Sequence, residues 1–69
     1  MYRVKFIDTR GSTYWLRRGR LVHRLDNATL YAHPSAARLA MARFINSFNV
    51  AGWSIEINQV KERRGNAKT

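Results

Sequence analysis

The sequence contains no cysteine, a single proline and only two histidines. Without cysteine no disulfide can form, and His23 and His33 have no carboxylate at ligand spacing, so we expect no metal site. No uncharged apolar run approaches the length of a membrane span, and the chain leads from Met1 directly into a strand pattern. We therefore expect a cytoplasmic protein without a membrane segment, whose 69 residues depend on one small hydrophobic core.

Acidic residues are scarce as well. Four aspartates and glutamates stand against 13 lysines and arginines. These carboxylates are scattered along the chain and form no acid–base pair (Asp8, Asp26, Glu56 and Glu62). The sequence also has no nucleophile–base motif and no glycine-rich phosphate loop. We therefore expect no enzymatic activity and no cofactor.

The formal net charge of +9 is high for so short a chain, and it opposes compaction unless an anionic partner compensates it. Arginine outnumbers lysine, which favours bidentate contacts to phosphate or carboxylate. We expect the partner to be nucleic acid, with DNA preferred over RNA, or an acidic surface of a host protein, and not a membrane.

The segment from His33 to Asn49 has the strongest helical pattern in the chain. Pro34 suits a first helical turn, because its missing N–H would have no partner there. The apolar side chains recur at helical spacing along one stripe: Ala37, Ala40, Met41, Phe44, Ile45 and Phe48. Arg38 and Arg43 are expected to be solvated, away from the basic residues of the strands.

Three segments alternate in the manner of half-buried strands: residues 2–8, 13–17 and 53–60. Residues 9–12 supply turn chemistry, so the first two segments are expected to form a hairpin. The predicted inward positions include Tyr2, Val4 and Phe6 on the first strand and Trp53, Ile55 and Ile57 on the last. Trp15 is placed in the core and Tyr14 on the outer side.

The stretch between residues 18 and 32 has two interpretations. Arg18 and Gly19 can form a tight turn into a third strand over residues 20–25, or the whole stretch is an extended basic arm. Asp26 and Asn27 then mark a turn or cap a short helical turn, and residues 29–32 can add a short strand.

These elements predict an α+β domain over residues 1–60, followed by a tail over residues 61–69 that we expect to be flexible and basic. Its sheet is small, antiparallel or mixed, with three or four strands, and one helix packs on one face in the order ββ(β)αβ. The last strand is expected beside the first, which brings Glu56 near Arg3 or Lys5. The other face of the sheet is left open to solvent or a partner.

The candidate nucleic-acid site is a basic surface on the hairpin and the segment that follows it. Arginines beside aromatic residues on strands are typical of phosphate binding and base stacking. The predicted contacts are Arg3, Lys5, Arg10, Tyr14, Arg17, Arg18, Arg20 and Arg24. The alternative is that the aromatic residues are core and the charges are an ordinary solvated surface.

Two stretches resemble known families. The hairpin FIDTRGSTYWLRR and the helix HPSAARLAMARF resemble the arm-type DNA-binding domains of phage integrases, in which a sheet enters the major groove; the last strand, WSIEINQV, departs from that pattern. The half LYAHPSAARLAMARF…VAGWSIEINQVKERRG is similar to the small inhibitor that T-odd phages make against host RNA polymerase. That family's strand arginines have no match here, so no functional residue is transferred.

Three functions remain open from the sequence. The first is a small nucleic-acid-binding accessory or regulatory protein of phage or mobile-element type, which contacts phosphates through residues 3–24. The second is a phage-type inhibitor that binds a host protein such as RNA polymerase or a defence nuclease. The third is a structural protein beside packaged DNA. A small core and an open sheet edge also allow a homodimer.

Overall fold

The chain folds into one four-stranded antiparallel sheet with one α-helix on one of its faces, which confirms the predicted α+β class. A computed structural model describes residues 1–60, so the predicted tail over 61–69 lies outside the described residues. The elements are β1 (Tyr2–Ile7), β2 (Thr13–Arg17), β3 (Arg20–Val22), a 3₁₀ helix (Leu25–Asn27), α1 (Pro34–Ser47) and β4 (Ser54–Gln59). No helix in this part of the chain is long and apolar enough to cross a membrane.

The strands lie in the order β3-β2-β1-β4, so the last strand is beside the first, as the sequence predicted. The alternation of β1 turns Val4 and Phe6 towards α1, where both are fully buried. Lys5 lies directly opposite Glu56 of β4 on the other face, which confirms the expected pairing of these two strands. We call the face that packs on α1 the inner face and the opposite one the outer face.

The region after β2 is a turn and a short strand, so the interpretation as a continuous basic arm is wrong. Arg18 and Gly19 both have positive φ, 47° and 83°, which matches the right-handed twist of a two-residue hairpin. The resulting β3 has three residues and stops at Val22, earlier than predicted. We call residues 17–20 the hairpin tip.

Residues 29–31 lie between β1 and β2 where these strands separate. The N–H of Thr29 donates to the carbonyl of Leu16 at 3.0 Å. Tyr31 and Tyr2 exchange two backbone hydrogen bonds of 2.7 Å, and they form an isolated bridge instead of the short strand considered above. The segment satisfies backbone groups that the diverging strands would otherwise leave without partners.

The helix begins at Pro34 and ends at Ser47, within the predicted range, and it packs on β1 and β4. Ala37 and Phe44 are buried in the core beside Val4, Phe6 and Leu16. The predicted apolar stripe is too wide, because Ile45 and Phe48 are exposed. Phe48 has extended backbone at the end of the helix, so helical spacing no longer fixes its direction.

The loop between β1 and β2 is organised by the carboxylate of Asp8. One of its oxygens accepts the N–H of Ser12 at 2.8 Å and that of Arg10 at 2.9 Å. The other accepts the hydroxyl of Tyr14 at 3.3 Å. Mainly through the Ser12 N–H, these donors hold the pKa of Asp8 below its ordinary value of 3.8, against a smaller opposing effect of desolvation.

We expect the contribution of Asp8 to stability to depend on pH in the acid range. Because its folded-state pKa is lowered, the stabilisation is complete above about pH 3.8 and is lost as the pH falls through the folded pKa. Thermal unfolding of the native chain and of Asp8→Asn, followed from neutral to acid pH, measures this effect. The native chain should have the higher Tm at neutral pH, with the gap closing below about pH 3.8. A gap independent of pH would contradict the role of the ionised carboxylate.

Candidate nucleic-acid interface

The outer face of the sheet carries most of the predicted basic residues of the strands. Lys5 pairs with Trp15 across β1 and β2, and Arg17 pairs with Arg20 across β2 and β3, so each pair shares a face. Arg3 alternates with Val4 and is therefore on the same face as Lys5. The structure thus brings together four of the predicted contact residues on a face that α1 does not cover: Arg3, Lys5, Arg17 and Arg20.

Trp15 lies at the centre of this surface. Trp15 is buried as expected, but the register that pairs it with Lys5 places it on the outer face, so the expectation that it packs against the helix is wrong. The guanidinium carbon of Arg3 lies 5.1 Å from the centroid of the Trp15 ring, and Nζ of Lys5 lies 5.9 Å away. Both distances are within cation–π range, and the two side chains leave the tryptophan only 9% exposed.

Arg3 itself is half-buried, and its Nε is buried without a hydrogen-bond partner among the described residues. The ring beneath it supplies electrostatic attraction but no hydrogen-bond acceptor of ordinary strength. An anion arriving at this face would therefore find a guanidinium that is already oriented by stacking. Such a group loses little conformational entropy when it binds phosphate.

Tyr14 lies on the inner face, so its expected outward position is wrong. It pairs with Phe6, whose side chain is in the core. Its ring is stacked on Trp53 with centroids 5.6 Å apart and contacts the His23 ring at 4.8 Å. Tyr14 is therefore separated from the outer-face cations by the thickness of the sheet.

The hairpin tip extends the positive surface beyond the sheet. Nη1 of Arg17 donates to the carbonyl of Asn27 at 3.1 Å, and the backbone N–H of Arg18 donates to Oγ1 of Thr29 at 3.2 Å. Arg17, Arg18 and Arg20 are all exposed. Arg17 and Arg20 are like charges on directly opposite positions, which is unfavourable unless an anion lies near them.

The two remaining predicted cations are placed differently. Arg10 lies in the loop between β1 and β2, at the end of the sheet opposite the hairpin tip. Arg24 follows β3 and precedes the 3₁₀ helix. Both side chains are exposed, and the structure does not bring either of them into the group around Trp15.

One residue outside the predicted contacts also lies at a positively charged surface. Arg43 of α1 lines a groove together with Arg18, although it was expected to lie away from the basic residues of the strands. The apolar repeat of α1 shows which residues share a face of the helix, but not how that face is oriented relative to the hairpin tip. The sequence therefore contains no signal that places Arg43 near Arg18.

Within residues 1–60, no three histidine or carboxylate side chains converge in a way that could hold a metal ion.

Comparison with known proteins supplies no relative from which residues could be transferred. No protein-family model matches the chain, and neither a curated protein nor a solved structure matches it.

Proposed function

We propose that this protein binds duplex DNA through the outer face of its sheet and the hairpin tip. The observation that carries the proposal is the placement of Arg3 and Lys5 over Trp15, on the face that α1 leaves uncovered. Arg17 and Arg20 continue the same positive surface towards the tip. A surface of this charge is suited to the phosphate backbone, which supplies most of the affinity in non-specific binding.

The aromatic residues favour a duplex over a single strand as the ligand. Sheets that bind single strands present rings on which bases can stack. Here Trp15 is covered by Arg3 and Lys5, and Tyr14 points to the other side of the sheet. A two-stranded ribbon fits the major groove, so the β2–β3 hairpin is the element we expect to enter it, with Arg3 and Lys5 on flanking phosphates.

The proposal is tested by fluorescence anisotropy with labelled duplex DNA, single-stranded DNA and RNA over a series of salt concentrations. We expect the duplex to bind most tightly and log K to fall linearly with log salt, with a slope of about −0.9 for each phosphate contacted. If the same surface instead binds a protein, the chain should capture a single host protein and keep its affinity for that protein at moderate salt. Equal, weak binding of all three nucleic acids that vanishes at moderate salt would contradict the proposal.

Two tryptophans on opposite faces of the sheet allow the interface to be located. The variant Trp53→Phe leaves Trp15 as the one tryptophan, and the variant Trp15→Phe leaves Trp53. Because Arg3 and Lys5 lie over Trp15, binding of DNA should change the emission of the first variant and leave that of the second nearly unchanged. A change of emission only in the variant that keeps Trp53 would place the DNA on the inner face and contradict the proposal.

A further inference from the structure

The inner face has a groove that α1 does not fill. Because α1 packs on β1 and β4, the inner side of the β2–β3 hairpin remains open beside the end of the helix. The groove has a volume of about 570 Å³, within the usual range for binding sites. Its floor is formed by aromatic and apolar side chains: Tyr14, Leu21, His23, Phe44, Phe48 and Trp53.

Phe48 is the most unusual of these residues, because it is a large apolar side chain that is 43% exposed. One part of its ring contacts Phe44 at 5.0 Å and Trp53 at 5.7 Å between centroids. The remainder of the side chain lines the groove and is exposed to solvent. Burial of this surface by a partner would be favourable, since exposed apolar patches lined by charged residues commonly mark interaction sites.

The charges around the groove indicate what kind of partner fits. Arg20, at the first position of edge strand β3, lines the groove as well as bordering the outer face. A second groove of about 260 Å³ shares Gly19 and Phe44 with the first and is lined by Arg18 and Arg43. Among residues 1–60, no aspartate or glutamate lines either groove.

We propose that these two grooves together bind a short acidic protein segment, which inserts a large apolar side chain beside Phe48 and places its carboxylates on Arg18, Arg20 and Arg43. Arginine forms bidentate pairs with carboxylate, and an apolar anchor ringed by charge is a common form of protein recognition. A nucleobase fits less well, because the rings of Tyr14, Trp53 and Phe48 already contact one another. Phe48 and Trp53 are on the opposite face from Arg3, Lys5 and Trp15, although Arg18 and Arg20 of the hairpin tip border both surfaces. The inference does not depend on DNA binding.

The probe is a fluorescein-labelled peptide in which phenylalanine and leucine are flanked on both sides by glutamates. It is titrated with the full chain, and two controls replace either its glutamates by lysines or its apolar residues by serines. We expect saturable binding of the first peptide alone. No saturation below about 1 mM, a very weak affinity, would overturn the proposal.

Matched variants locate the peptide on the groove. Phe48→Ser should weaken binding by about tenfold or more, whereas Leu39→Ser, at another exposed apolar position of the same region, should leave it unchanged. Arg43→Glu should weaken it strongly and Arg38→Glu only slightly, because both are exposed on α1 but only Arg43 lines the groove. All four positions are exposed, so the variants should remain folded.

The outcome is independent of DNA binding. If the groove is the site, Phe48→Ser should weaken binding of the peptide and leave the affinity for DNA unchanged, and Arg3→Gln with Lys5→Gln should leave the affinity for the peptide unchanged. Peptide binding that tolerates Phe48→Ser and Arg43→Glu but is lost with Arg3→Gln and Lys5→Gln would place the peptide on the outer face and overturn the inference.

Discussion

Replacing Arg17, Arg18 and Arg20 together by alanine is expected to lower the affinity for duplex DNA by about 100-fold or more at physiological salt. Each phosphate contact that is lost reduces the salt slope by about 0.9, so three contacts reduce it by nearly three units. Taken from a reference of about 1 M salt down to roughly 0.15 M, this difference in slope corresponds to a loss of about two orders of magnitude in affinity. Anisotropy titrations of the native and variant chains over a salt series measure both quantities.

The fold should survive this substitution. All three side chains are exposed, and none belongs to the core. Arg18 already has positive φ, so alanine there is no more strained than arginine. The hydrogen bond from Arg17 to the Asn27 carbonyl is lost, at a cost of about 1 kcal/mol. Circular dichroism and the thermal transition verify that the loss of binding is not a loss of structure.

A control of equal charge separates a local contact from general attraction. One double variant, Arg17→Ala with Arg20→Ala, removes two charges next to the outer face. A second double variant, Arg38→Ala with Arg43→Ala, removes two charges from the helix. The first should lower DNA affinity at least tenfold more than the second near physiological salt. Equal losses would mean that only net charge matters, and an unchanged affinity in the folded triple variant would remove the hairpin tip from the interface.

The sheet and helix could be predicted because their signals are periodic and local. Alternation in β1 and β4 and the 3.6-residue repeat of α1 each identify an element and the side that it buries. The position of β4 beside β1 also follows from simple topology, since a strand that returns from a covering helix finds the edge of β1 unpaired. The Lys5–Glu56 pairing is a consequence of that placement.

The orientation of the two adjacent aromatic residues of β2 could not be predicted, because it depends on register. Tyr14 and Trp15 must point to opposite faces, and both are large enough to serve as core. The pairing of Tyr14 with Phe6 determines which ring faces the core, and that pairing is set by the five-residue loop over residues 8–12, which the Asp8 carboxylate holds by hydrogen bonds. A shift of one residue would have exchanged their faces.

The candidate site was predictable in composition and less so in arrangement. The cluster of arginines between residues 17 and 24 is visible in the sequence, but the β2–β3 hairpin distributes these arginines over two strands, a turn and the segment that follows β3. Arg17 and Arg20 are brought together by a turn of two residues, while Arg24 continues past β3. The proximity of Arg43 to Arg18 is tertiary, since it depends on how α1 lies across the sheet.

Phe6→Ala is expected to have the largest effect on stability. Phe6 is fully buried on β1, one of the two central strands of the sheet, and its ring lies 5.2 Å from that of Phe44 and 6.4 Å from that of Trp53, between centroids. Truncating a buried phenylalanine costs about 3–5 kcal/mol through lost burial and the remaining cavity. A domain of 69 residues has roughly 3–10 kcal/mol in total, so we expect a large fraction of the variant to be unfolded at 25 °C.

The matched comparison is Phe48→Ala, which makes the same chemical change at an aromatic residue that is 43% exposed. Because Phe48 buries less surface and leaves no enclosed cavity, its loss should cost about 1 kcal/mol or less. Phe6→Leu retains much of the volume and should be intermediate, which separates cavity formation from the loss of an aromatic ring. Urea unfolding followed by circular dichroism gives the free energy for each variant. Equal values for Phe6→Ala and Phe48→Ala would mean that β1 is not at the centre of the core, and the division into an inner face that holds the fold and an outer face free to bind DNA would fail with it.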